Sequence, residues 1–310
     1  MATFRNPVHR GYFADPFVLK VEDLFFAYGT GAAPGGRPFE VLESADLVHW
    51  ESLGGALDPL EEEWATDYWA PEVACRDGVF HMYYSVGTGD RGHLLRVATA
   101  SQPEGPFVDA GLVLTPNELF AIDAHPFRDD DGKWYLFYAH DVLEGERVGT
   151  TVAVDRMTSM TSLAGRPRTL LAPSDDWQLF TRGREIYDAV FDWHTLEGPF
   201  VRKRAGRYWL FYSGGSWQQA GYGVSYAVAD HPMGPYSEPQ PGPVILETVP
   251  GEVIGPGHNS LVSGPHGEDW IVYHAWDPDV TARQMWIDRL VWSEDGPRRS
   301  GPTRGPQVSP

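Results

Sequence analysis

The chain has 310 residues, 12 of them Trp, a net charge of −19 and a single cysteine. That charge disfavours nucleic acid and anionic membrane surfaces as partners, and a lone Cys75 excludes an internal disulfide framework. Met1–Pro7 carries no apolar signal core and no run approaches the ~20 apolar residues of a membrane span, so the chain reads as cytoplasmic unless a signal has been removed.

The elements that follow are short strands between tight turns, in five units. The first opens at Asp15, which Pro16 pushes towards an extended backbone. Phe17–Leu19, Leu24–Tyr28 and Phe39–Glu43 read as strands, Thr30–Pro38 as a Gly/Pro-rich loop and Ser44–Trp50 as a turn and outer edge. The second unit opens at Trp69-Ala70-Pro71-Glu72, with strands at Val79–Val86 and Leu94–Ala98 and a corner at Gly105-Pro106-Phe107. The third opens at Ile122-Asp123-Ala124-His125, turns at Asp129–Gly132 and continues through Lys133–Tyr138 and Gly149–Val154. Pro173–Asp188 then reads as an inserted loop over one face. The fourth opens at Leu196-Glu197-Gly198-Pro199, with strands at Arg207–Ser213 and Tyr222–Ala227. The fifth opens at Gly257-His258-Asn259-Ser260, with strands at Trp270–His274 and Met285–Trp292, and a tail rich in Gly, Pro and Arg that supplies a short last edge.

Asp15, Trp69, Asp123, Glu197 and His258 mark the five openings, at spacings of 54, 54, 74 and 61 residues. Four-stranded units repeated radially make a β-propeller. The expectation is an all-β, five-bladed β-propeller with blades near 12–60, 66–115, 120–172, 190–245 and 255–300, one catalytic domain over 1–310. A β-sandwich would not place a polar residue at the same point of each unit. In a propeller the inner strands line a central channel, so Asp15, Asp123 and Glu197 should meet at one end of it. Carboxylates so crowded cannot all ionise freely. A carboxylic acid beside an ionised carboxylate is the machinery of glycoside hydrolysis. Taken singly, Asp15 also suits a turn, Asp123 a satisfied strand start, Glu197 a solvated loop and His258 a hydrogen-bonded core histidine or a ligand of an axial cation. Asp129–Gly132 reads as a hairpin turn and Cys75 as a core residue.

Ala14-Asp15-Pro16, Trp69-Ala70-Pro71-Glu72, Ile122-Asp123-Ala124, Glu197-Gly198-Pro199 and Gly255-Pro256-Gly257-His258-Asn259, in this order across nearly the whole chain, resemble glycoside hydrolase family 43. The resemblance implies an inverting enzyme in which Asp15 is the general base, Glu197 the general acid and Asp123 the residue that orients Glu197 and raises its pKa. Inversion leaves room for a water, so the Asp15 and Glu197 carboxyls are expected about 6.5–9.5 Å apart. It also implies a calcium or other ion on the axis near His258, with no cofactor required for the chemistry. Arg283 matches a substrate-binding arginine of the last blade, with Arg289 the second candidate. His258 and Trp69 are candidate sugar contacts, and Phe39 a weaker one; the two aromatics also suit purely structural places. A fifth unit with no β-sandwich domain after it leans the reading to an exo-acting α-L-arabinofuranosidase that trims arabino- or arabinoxylo-oligosaccharides or polysaccharide side chains. β-Xylosidase, endo-arabinanase and galactosidase are the alternatives within the family. A non-catalytic carbohydrate-binding propeller is the alternative outside it.

Overall fold

The structure, a computed structural model, describes residues 2–299 and 301–310; Met1 and Ser300, at the edges of the predicted N-terminal run and fifth unit, lie outside them. Strands account for the regular structure of the described residues, apart from one short 3-10 turn at Asp176–Gln178. The aromatic and β-branched runs of the sequence become strands covered on both faces. Within Val79–Thr88 and Trp134–Val142 only the end residues escape burial.

Ala14–Val21, Leu24–Thr30, Glu40–Ser44 and Glu51–Gly55 form one antiparallel sheet, and Asp67–Arg76, Val79–Thr88, Arg91–Ala100 and Val108–Val113 a second. A third unit contains Ala121–Arg128, Trp134–Val142, Gly149–Ser159 and Arg168–Leu171, and a fourth Ala189–Arg204, Arg207–Gly214 and Gly223–Ala229. A short parallel pairing of Gly149–Thr150 with His194–Thr195 joins these two into one sheet. Ile254–Ser263, Asp269–Trp276 and Arg283–Arg289 form the last. The first strand of each unit packs on the first strand of the next, and that of the fifth packs on that of the first, which closes a ring. Apolar cores fill the spaces between neighbours, as with Tyr83, Leu95, Leu136 and Tyr138 between the second and third units, or Phe25, Val272 and Met285 between the fifth and first.

Three expectations change. Pro173–Asp188 is not a loop: Leu179–Ile186 pairs with Ala189–Arg204 in a hairpin. Its turn residues Tyr187 and Asp188 are both left-handed (φ 54° and 58°), the two-residue geometry that matches strand twist. The fourth edge of the last sheet comes from the N-terminal segment, whose Val8 and Phe13 N–H groups donate to the carbonyls of Met285 (3.0 Å) and Arg283 (2.8 Å). Met285–Trp292 is not one strand: it breaks at Leu290, and Val291–Ser293 turns back on Gly296–Arg298.

Each inner strand is bulged near its start, with register shifts at Ala14/Phe17, Trp69/Glu72, Ile122/His125, Glu197/Phe200 and Gly257/Ser260. The left-handed residues in the five bulges are Asp15 (φ 52°), Ala70 (45°), Asp123 (59°), Gly198 (56°) and His258 (49°). The true repeat position in the second and fourth units is thus one residue after Trp69 and Glu197. A left-handed non-glycine residue costs about 1–2 kcal/mol, and neighbouring sheets hold it in place. The N–H of Asp15 donates to His274 Nδ1 (3.1 Å), that of Ala70 to Thr30 Oγ1 (2.8 Å), that of His258 to Ser213 Oγ (2.7 Å) and that of Gly198 to Asp123 Oδ2 (2.9 Å). Thr30, Ser85, Ala139, Ser213 and His274 occupy one equivalent place, each paired with the residue before or at the edge of its bulge. Thr30, Ser213 and His274 cap the bulge of the next unit. Ala139 has no acceptor in its side chain, and there Asp123 takes over the cap.

Candidate active site

Asp15, Asp123 and Glu197 are all buried at the same end of the ring. The bulges explain how: they turn the first residues of each inner strand out of the pleat and towards the axis. Around Asp15 the setting is cationic and polar. Its Oδ1 lies 3.0 Å from Arg283 Nη1, 3.2 Å from His274 Nδ1 and 3.4 Å from His258 Nδ1. Burial works to raise this carboxyl, but Arg283, His258 and His274 outweigh it and hold it well below the usual range. Burial works against protonation of both imidazoles, lowering His258 and pushing His274 to about 4, with Asp15 opposing it in each. Arg283 is itself boxed in: its guanidinium sits 4.4 Å from the Trp217 ring centroid and 5.6 Å from that of Tyr12, whose hydroxyl accepts from Nη2 at 2.8 Å.

Glu197 has a different setting. Its Oε1 accepts from the Tyr222 hydroxyl at 2.7 Å. Burial raises the carboxyl to about 7, with the charge of Asp15 adding to the rise and Tyr222 and Arg283 opposing it. Asp123 is pushed well above its ordinary value, first by burial and then by Glu197 and Asp15, against the Gly198 N–H that it accepts. The Tyr222 ring lies parallel to that of His274 (interplanar 5°, centroids 5.8 Å apart). A strut of two rings therefore runs from the Asp15 carboxylate to the Glu197 carboxyl. Gly257 makes room for it, since a Cβ there would fall 2.0 Å from the Tyr222 ring. Deeper in the channel Glu72 pairs with His125 Nδ1 at 2.7 Å.

The trio, His258 and Arg283 come together as the sequence suggested. Trp69 lines a 380 Å³ cavity with Tyr12, Thr30 and Tyr68. One of its faces is covered by His93, stacked at 3.7 Å. Phe39 is a correction: it is fully buried against Tyr68 and Tyr84 and presents no face to a sugar. Arg289 is another, since six residues beyond Arg283 on one strand is about 20 Å, and it lines a cavity with Trp270 and Gln307 away from the trio. Cys75 is exposed rather than core. Among the described residues no three His, Cys, Asp or Glu side chains converge as a metal site, so an ion beside His258 would draw most of its ligands from water. Reading the sequence missed His274, Tyr222, Trp217 and His93. Only His274 carried a signal: it stands in Tyr273-His274 where the second and fourth units have Tyr84-Ser85 and Tyr212-Ser213.

The model of the glycosyl hydrolases family 43 matches residues 4–297. A relative named β-D-galactofuranosidase xynD, from Aspergillus niger, is 31% identical over 94% of this chain and 83% of its own length. An extracellular exo-α-(1→5)-L-arabinofuranosidase of Streptomyces chartreusis is 26% identical over 88% of this chain and 83% of its own. Other relatives are named xylosidases and endo-arabinanases. The crystal structure of a thermostable family-43 glycoside hydrolase superposes with a TM-score of 0.87 at 36% identity, covering 99% of both chains.

Proposed function

The chain belongs to glycosyl hydrolase family 43 and is a glycoside hydrolase, and on that premise we propose that it is an inverting, exo-acting enzyme that releases a terminal α-L-arabinofuranose from short or branched oligosaccharides. The observation that carries the mechanism is the opposite tuning of two buried carboxyls at one channel mouth. Asp15, held ionised, takes a proton from the attacking water. Glu197, protonated below about pH 7, gives its proton to the leaving oxygen on the other side of the sugar. Asp123 fixes Gly198, the neighbour of Glu197, through the backbone N–H that it accepts, and so orients the acid. Arg283 and His258 hold Asp15 in place and offer donors to sugar hydroxyls, and Trp69 offers its free face to the ring.

The ring of five inner strands supports a five-bladed propeller formed as one domain, with the third and fourth blades joined at one edge. The hairpin Leu179–Arg204, whose second strand carries Glu197 and whose tip is tied to Asp90 and Asp141, favours a closed pocket over an open groove and hence action on chain ends. A second reading is release of terminal β-D-galactofuranose. It is favoured by the 31% identical relative and by chemistry, because the two furanosides share ring configuration and differ by one hydroxymethyl group. No step calls for a metal, and an ion beside His258 would be structural. No helix among the described residues is long and apolar enough to cross a membrane. The cytoplasmic reading stands beside a relative named as extracellular.

The test is a panel of aryl α-L-arabinofuranosides, β-D-galactofuranosides and β-D-xylosides with matching oligosaccharides, assayed with and without a chelator, the product anomer followed by proton NMR. Turnover of a furanoside, unaffected by chelation, with the inverted anomer appearing first is expected. A retained anomer would remove Asp15 from the role of base, and xyloside as sole substrate would overturn the furanosidase reading.

A further inference from the structure

The hairpin Leu179–Ile186/Ala189–Arg204 is the forward extension of the strand that carries Glu197. Two contacts fasten its tip across the mouth of the ring. Arg184 Nη2 donates to Asp90 Oδ2 (2.8 Å), its guanidinium 4.9 Å from the Trp193 ring centroid. The Tyr187 hydroxyl donates to Asp141 Oδ2 (2.8 Å), whose other oxygen accepts from Thr150 (2.8 Å). Both anchors lead back to the reactive carboxyls. The Asp141 N–H reaches the carbonyl of Phe120, three residues and so about 10 Å of strand before Asp123. On the other side the Gly89 carbonyl, next to Asp90, lies 2.9 Å from Nε2 of His93, the ring stacked on Trp69.

Between these anchors lies a cavity of 580 Å³, bounded by Asp90–Gly92 on one side and Glu185–Val190 on the other. Its size falls within the about 300–1,000 Å³ of small-molecule sites. One wall continues the strand of the general acid, and the other continues the strand that backs the sugar platform. Glu197 protonates the leaving oxygen, so the leaving chain departs on the side of its strand, and the cavity, which begins seven strand residues before Glu197 and so about 23 Å from it, meets units beyond the first leaving sugar. We propose that this cavity is a subsite for the leaving-group portion of a neutral oligosaccharide, a reading that rests on the glycosidase assignment above. Glu185 and Asp188 provide carboxylate oxygens that accept from sugar hydroxyls, and Arg91 and the Asp90–Arg184 pair stand beside them as donors and acceptors. Tyr187 and Val190, the latter 65% exposed, provide surface for the C–H face of a ring.

The experiment fills the cavity without touching the trio. Val190→Trp, with Glu185→Ala as a second and gentler variant, is compared with wild type on an aryl glycoside, which has no leaving sugar, and on the tri- and tetrasaccharide with the same terminal residue. Expected are aryl glycoside kinetics within about twofold of wild type and an oligosaccharide KM raised about tenfold with kcat little changed, as for loss of uniform binding. Equal loss on both substrate classes, or no loss on either in both variants, overturns the subsite. A wild type that turns over no glycoside overturns the glycosidase reading and the subsite together, whereas an active wild type with insensitive variants overturns the subsite alone.

Discussion

Asp15 and Glu197 share an exposure of 9% and stand at the bulges of inner strands, yet one is held well below the usual carboxylate range and the other is raised to about 7. Burial raises both. The difference lies in the partners: Asp15 faces a guanidinium and two imidazoles, Glu197 one phenol hydroxyl. The backbone differs too. Asp15 occupies the left-handed place of its bulge, while Glu197 precedes it and leaves that place to Gly198. A Cβ at Gly198 would come within 3.2 Å of the His258 ring, so a side chain in that place would have to displace the ring. Two equivalent strand starts thus present carboxyls from different points of the same bulge, one packed against positive charge and one against low-dielectric surroundings. The comparison teaches that the carboxyls proposed as acid and base are distinguished by what neighbouring sheets bring, not by the strands that carry them.

The comparison breaks most completely when either carboxyl is neutralised. Asp15→Asn and Glu197→Gln should each lower kcat by about 10²–10⁴ on a sugar leaving group, measured at saturation with circular dichroism confirming the fold. A dinitrophenyl leaving group, which departs without a proton, should restore most of the rate to Glu197→Gln and none to Asp15→Asn. Equal rescue of both would mean the roles are misassigned.

A smaller effect should sharpen the acid half. Rate requires Glu197 protonated, so kcat/KM should fall above about pH 7, while the acid limb, set by Asp15, lies well below the usual carboxylate range. The Tyr222 hydroxyl bonds to Glu197 and lowers its pKa. Tyr222→Phe should therefore move the alkaline limb upward and cost about tenfold in kcat, with the acid limb unmoved. A limb that shifts downward, or a shift of both, would contradict the ring strut as drawn.

The smallest effect concerns the cap. Ala139→Ser would offer the Gly198 N–H a hydroxyl, as Thr30 and Ser213 do for their own neighbours. Asp123 would then lose its hold. A loss in kcat of about threefold to tenfold is expected, within what one hydrogen bond contributes, with KM for an aryl glycoside little changed. Unaltered kcat would show that Asp123 needs no such anchor.

Much of this was legible from the chain. Polar residues before apolar strands marked the units, because the ring needs the same turn of backbone five times. The reading slipped by one residue at Trp69 and Glu197, since a bulge is a matter of φ and not of polarity. The hairpin was not legible: Leu179–Ile186 mixes Thr, Arg and Gly with apolar residues, is exposed on much of its length and so lacks a period of two. Phe39 and Arg289 failed for a related reason. Which face an aromatic shows, and which end of a strand an arginine occupies, depend on register. His274 and Tyr222 act through pairings between sheets, which composition does not reveal.

The N-terminal segment completes the last sheet, and its Tyr12 and Phe13 are also the residues that hold Arg283 by side chain and by backbone. The seam that closes the ring here is made of hydrogen bonds and packing alone. Arg283 is the strongest of the charges that keep Asp15 ionised. The charge on which the proposed base relies is therefore held by a contact between Tyr12–Phe13 and Arg283, so loosening that contact would let the Asp15 carboxyl drift back up.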